Sequence, residues 1–131
     1  MSDHLTERDD FEASIYMYTE AEGGYKNPIF NGIFLDFVYA ESDLTSQQYW
    51  IYPDFIDENR NSYSRELQIL PGSEHLARMF ILSDEFRMKV HRDKIAIGVK
   101  FYCHEGNRRM GAGIVTKITG LFLNRDYNDT E

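Results

Sequence analysis

Alternation of apolar and polar side chains with a period of two is the feature that most constrains this chain. In Phe11–Tyr18 the positions Phe11, Ala13, Ile15 and Met17 are apolar, while Glu12, Ser14, Tyr16 and Tyr18 are polar or amphipathic. That period belongs to a half-buried strand. It recurs at Ile95, Ile97, Val99, Phe101 and Cys103, opposite Lys94, Ala96, Gly98, Lys100, Tyr102 and His104. Ile33, Leu35, Phe37 and Tyr39 alternate again, as do Phe86, Met88 and Val90 against Arg87 and Lys89. Met110–Ile118 is a further strand candidate, with Gly111 and Gly113 on one face. Glycine inside a strand marks bending or close backbone approach. Gly23-Gly24, Asn31-Gly32, Pro71-Gly72 and Glu105-Gly106-Asn107 supply turns between these runs. Short strands bounded in this way predict an all-β sandwich or small barrel. Ser73–Leu82 is the one stretch that also fits a helix, with Ser73 as cap and Leu76, Ala77, Met79 and Phe80 as the buried stripe. The same residues fit a strand equally well. Ser46–Asn61 is aromatic and then acidic, without clear periodicity.

Size and charge narrow the function. A chain of 131 residues predicts one domain, able to bury roughly two thirds of the surface that its unfolded form exposes. With 42% hydrophobic and 27% charged residues it has the composition of a folded protein. Lys and Arg number 14 against 22 Asp and Glu, a net charge of −8. That balance disfavours a protein that grips nucleic-acid phosphates or anionic lipid. No apolar run has the length to span a bilayer. The opening Met-Ser-Asp-His-Leu-Thr-Glu-Arg-Asp-Asp has neither the basic nor the apolar region of a secretory signal. A cytoplasmic address is therefore expected. Residues 1–10 and 121–131 are expected to be flexible tails around a domain at 11–120.

The usual chemical constellations are missing. No Gly-x-x-x-x-Gly-Lys-Ser/Thr loop is present to cradle a nucleotide. Gly111-Ala112-Gly113 lacks the third glycine and the following helix of a dinucleotide site, which points to a structural role. His4, His75, His91 and His104 show no metal-ligand spacing. Cys103, the only cysteine, excludes an intrachain disulfide and a cysteine zinc cluster. It lies on an apolar face, where a free thiol behaves as a small hydrophobe. No pair of carboxylates is set in an apolar context, so the many acidic residues are expected to be solvated. The chain is therefore expected to be no enzyme and to hold no cofactor or metal.

Two stretches are more specific. The first is Phe11-Glu12, followed by Glu22-Gly23-Gly24, Pro28, Phe30 and Gly32, running on to Asp43 and Thr45. The second is Glu105-Gly106, Arg108, Gly111-Ala112-Gly113, Val115 and Lys117. Together they resemble the C-terminal β-barrel, domain III, of bacterial elongation factor Tu, over roughly residues 10–120. The middle, Ser46–Asp93, matches poorly and is longer than its counterpart. The resemblance implies a small six-stranded antiparallel β-barrel with an extended middle insertion. It also implies one third of a translation factor, without the GTPase domain or the second barrel.

In that family this domain touches tRNA, an exchange factor and its own GTPase domain. By resemblance the tRNA-facing residues here are Lys26, Thr45, Glu105, Gly106, Arg108 and Arg109. The basic residue after the paired glycines is replaced by Tyr25, an Arg-Pro-Gln by Phe34-Leu35-Asp36, and a further arginine by Ala40. Each lost phosphate contact weakens binding by about one counterion's worth. The favoured expectation is therefore a non-catalytic protein-binding module. It would be a free-standing barrel that acts as a decoy, inhibitor or immunity-type protein toward a toxin or translation factor, and its acidity would steer basic partners. Tyr49, Trp50, Tyr52 and Phe55 are the interface candidates, since Tyr and Trp are enriched at hot spots. Trp50 and Phe55 could equally cap the barrel as core. Weak tRNA binding is the alternative expectation.

Overall fold

The computed structural model describes residues 8–41 and 47–125. The alternating run Phe11–Met17 forms β1, and Phe11, Ala13, Ile15 and Met17 are all buried. Five strands join it: β2 (Asp36–Tyr39), β3 (Ile51–Ile56), β4 (Glu74–Ile81), β5 (Lys100–Glu105) and β6 (Arg108–Ile118). They form one sheet in the order β2-β5-β6-β1-β4-β3, and every pairing is antiparallel. The outermost strands then meet. Phe37 of β2 and Tyr49, just before β3, exchange main-chain hydrogen bonds of 2.8 Å. The result is a curled half-barrel, in keeping with the small all-β barrel expected, and it makes a single small domain.

The curl depends on close packing along β5 and β6. Phe101 stacks on Phe37 with ring centroids 4.5 Å apart. A Cβ at Gly113 would lie 2.3 Å from the Phe101 ring, so only glycine fits beneath it. Cys103 is buried on the same face, and burial pushes its thiol up to about 12. Cys103 thus packs as a small buried side chain, and Gly113 leaves the space that the Phe101 ring fills.

Several local expectations need correction. Ser73–Leu82 resolves as a strand, because β4 is paired along both of its edges, to β1 and to β3. Phe86, Met88 and Val90 do not form a strand. They lie in a helical segment, α1, that runs through Asp84–Phe86, Arg87–His91 and Arg92–Lys94. Ser83 caps it by accepting from the Phe86 N–H, and Asp84 and Glu85 occupy the first turn. Negative charge is favourable there, and this local capping outweighs three alternating residues. The middle turn, Arg87–His91, is wound as a π-helix, with the Arg92 N–H reaching the Arg87 carbonyl. β5 begins at Lys100 rather than Ile95, since Gly98 turns the chain at φ +95° and leaves Ile97 exposed. β2 likewise begins at Asp36, after Gly32 at φ +99°. The aperiodic Ser46–Asn61 contains β3.

The acidic residues are not all solvated. Asp10 is 1% exposed. Its carboxylate accepts from the Ile81 N–H at 2.8 Å and from Arg87 Nε at 2.7 Å, and pairs also with Arg125. Arg87 in turn donates to the Gly120 carbonyl at 2.6 Å. Asp54 is buried between Asn31 Nδ2 at 2.9 Å and the Ser62 hydroxyl at 2.7 Å. Glu12 pairs with Arg60. The folded body therefore reaches Asp10 at one end and the buried Leu121 at the other, beyond the boundaries expected for it.

Candidate functional site

Among the described residues, the outer edges of the sheet are joined by main-chain hydrogen bonds at Phe37 and Tyr49. Beside that contact the seam between them opens into a groove of about 400 Å³, lined by Phe34, Leu35, Asp36, Trp50, Ile51, Tyr52 and Leu82. Trp50 is 70% exposed and Phe34 69%. The Phe34 and Tyr52 rings pack together, with centroids 4.8 Å apart. Three aromatic rings thus form one solvent-facing surface. Contiguous exposed apolar surface of this kind marks interaction sites more often than scattered apolar residues do.

The groove stands on a fixed base. The Trp50 carbonyl accepts from the Leu82 N–H at 3.1 Å. Tyr49 is half-buried, and its ring sits edge-on to His91 at 4.5 Å and to Phe86 at 5.5 Å. His91 is wholly buried, and its Nδ1 shares a 2.6 Å hydrogen bond with the Tyr39 hydroxyl. Its Nε2 has no hydrogen-bond partner among the described residues. Loss of solvation, reinforced by Lys94, pushes the imidazole down to about 4. It is neutral at pH 7 and works as an aromatic packing element. Lys94 lies over the Tyr39 ring, 4.6 Å from its centre. α1 and the aromatic base therefore hold the chain on which Trp50 stands.

The edge of β3 has few main-chain donors left along the groove. The Ile51 N–H is spent on the Tyr49 carbonyl at 3.1 Å, Pro53 has none, and the Phe55 N–H is held by Asn31 Oδ1 at 2.9 Å. Blunting an edge strand in this way protects it from strand addition.

The four expected interface residues divide. Trp50 and Tyr52 line the groove. Tyr49 belongs to its base. Phe55 is 0% exposed and lies in the core against Tyr63 and His75, so it is no surface contact. Its inward phase on β3, shared with Ile51, puts it there. Phe34 and Leu82 were missed. A signal for Phe34 existed, because it is apolar on the outward phase between Ile33 and Leu35.

The second set lies around the β5–β6 hairpin. Glu105 and Arg108 face each other across the turn, and Gly106 sits in it at φ +61°. Arg108 donates to the Gly23 carbonyl at 3.2 Å, joining this hairpin to the turn that leads to Lys26, which is exposed. Arg109 stacks on Tyr102, 3.5 Å from the ring centre. Burial, and secondarily Arg109, pushes His104 below its usual value. Thr45 lies outside the described residues. Both arginines are thus already engaged within the chain, and burial together with the Glu105 carboxylate holds the Tyr25 hydroxyl well above its ordinary value.

Among the described residues, no group of three or more His, Cys, Asp or Glu is placed to hold a metal ion. None of their helices is long and apolar enough to cross a membrane. A scan against protein-family models found no match for this chain.

Proposed function

We propose that this chain is a non-catalytic protein-binding module of the cytoplasm, a free-standing barrel similar to domain III of elongation factor Tu that occupies a toxin or translation factor as decoy, inhibitor or immunity protein. The observation that carries the reading is the exposed aromatic groove of Phe34, Trp50 and Tyr52 on a chain of net charge −8. An exposed Trp and Phe beside a half-buried Tyr, over a packed base, have the composition and setting of an interface hot spot. The acidity supports a basic partner.

A second reading, weak tRNA binding, draws on Lys26, Arg108 and Arg109, all exposed. The internal engagement of both arginines and the loss of family-type basic residues place it second.

The test is capture from native lysate with the intact chain and with Phe34→Ala/Trp50→Ala, identifying bound protein and RNA together. The expected result is one stoichiometric protein that survives nuclease and is lost from the double variant. Recovery of tRNA that falls away as salt rises, with no groove-dependent protein, would establish the second reading instead.

A further inference from the structure

We infer that the Phe34–Trp50–Tyr52 groove takes apolar side chains from a helical segment of a basic partner protein; this rests on the protein-binding reading above and gives it a partner chemistry.

The main-chain N–H groups bordering the groove favour one form of occupant. An extended peptide that adds to a sheet edge draws its affinity from free N–H and C=O groups. Here Phe37 has spent both of its groups on Tyr49. The Ile51 N–H is spent on Tyr49, Pro53 has no N–H, and Asn31 holds the Phe55 N–H. A helix satisfies its own main chain and needs only a place for its side chains. Residues one turn apart on a helix lie about 5–6 Å from each other at Cβ. A groove of about 400 Å³ falls within the roughly 300–1,000 Å³ of small-molecule pockets, a scale that apolar side chains can fill.

Charge selects the partner. The groove has one charged lining residue among the described ones, Asp36, and no lysine or arginine lines it. At the Leu82 end the chain continues through Ser83 to Asp84 and Glu85, which are exposed but already paired with Arg125 and Lys89, so the uncompensated charge at the groove is Asp36. A second copy of this chain would bring another −8 and meet like charge. RNA could stack bases on Trp50, but its phosphates would meet the same repulsion. A protein segment carrying Lys or Arg around its apolar anchors has the complementary sign.

Trp50 is the only tryptophan, so its emission reports on the groove directly. A display library of random peptides, one arm built on helix-forming frames and one on extended frames, is selected against the intact protein. The expected winners are helical and cationic, with apolar residues one turn apart. Synthetic copies shift Trp50 emission to the blue in a saturable titration. Phe34→Ala weakens them about tenfold or more, and Phe34→Lys, which adds like charge to a cationic helix, weakens them further. Phe34 is largely exposed, so both variants keep the fold, which circular dichroism checks.

Winners that are extended or acidic, winners indifferent to Phe34, or an empty selection would each overturn the inference. So would a blue shift that grows with protein concentration alone, which would name a second copy. A single-stranded oligoribonucleotide that quenches Trp50 at moderate salt would name RNA and overturn it likewise. If the selection fails while the protein captured from lysate still depends on Phe34 and Trp50, the helix-and-charge assignment falls and the protein-binding reading stands. If capture is also indifferent to those residues, both fall.

Discussion

His91 shows how a single buried side chain sets a pH limit on this fold. Burial beneath Tyr49, together with Lys94, pushes its pKa down to about 4 from the ordinary 6.5. Below pH 6.5 the unfolded chain takes up a proton that the folded chain refuses, so stability falls as pH falls. The loss begins near pH 6.5, runs to about pH 4, and then stops, since both states are protonated below that. The full difference is on the order of 3 kcal/mol. Denaturant unfolding of the intact protein and of His91→Asn, compared at pH 7 and pH 4, isolates it. The variant's stability should depend on pH less steeply by about that amount, whatever the carboxylates add to both. Gly113 sets a steric limit. A methyl group there would meet the Phe101 ring at 2.3 Å. Gly113→Ala should cost about 1–3 kcal/mol by overpacking, read as a lower denaturant midpoint with an unchanged slope.

At the scale of elements, the strands and the helical segment were unequally legible. β1 could be read from sequence because it buries one face against the core and every inward position is apolar; β6 was legible through Gly111 and Gly113, buried on one face where neighbouring side chains approach closely. α1 could not be read, because what places it is not its own pattern. Arg87 reaches back to Asp10, a residue 77 positions earlier, and no local window contains that pair. The same distance hid the burial of Asp10 and Asp54, which read as solvated charge until their partners are in place. The groove is illegible for a related reason. Phe34 precedes β2, Trp50 precedes β3, and Leu82 follows β4, so only the curl of the sheet brings them together. The Asp10–Arg87 pair also predicts how α1 comes away. Arg87→Met removes one partner of a buried ion pair, which costs about 3–5 kcal/mol, toward the lower end here because Arg125 also pairs with Asp10. Hydrogen exchange should then speed up across 84–94 more than in β1 and β6, as local opening precedes global unfolding. Equal acceleration everywhere would mean that the pair holds the whole fold and not the segment.

At the scale of the whole molecule, a curled sheet closed at Phe37 and Tyr49 leaves a seam, and the seam holds the exposed aromatic surface. The barrel and its turns were expected from alternation, and by resemblance to domain III of elongation factor Tu. In the function proposed above, a net charge of −8 steers basic partners at long range and the groove holds them at short range. The central claim is that this chain acts by docking a protein on that surface. The most direct measurement replaces Trp50 with a photo-crosslinking amino acid in the native cell, alongside the same replacement at Arg109, and weighs the adducts. The account predicts one discrete protein adduct from position 50, none from position 109, and loss of the adduct when Phe34→Ala is added. An RNA adduct from position 109 with nothing from position 50 would contradict it.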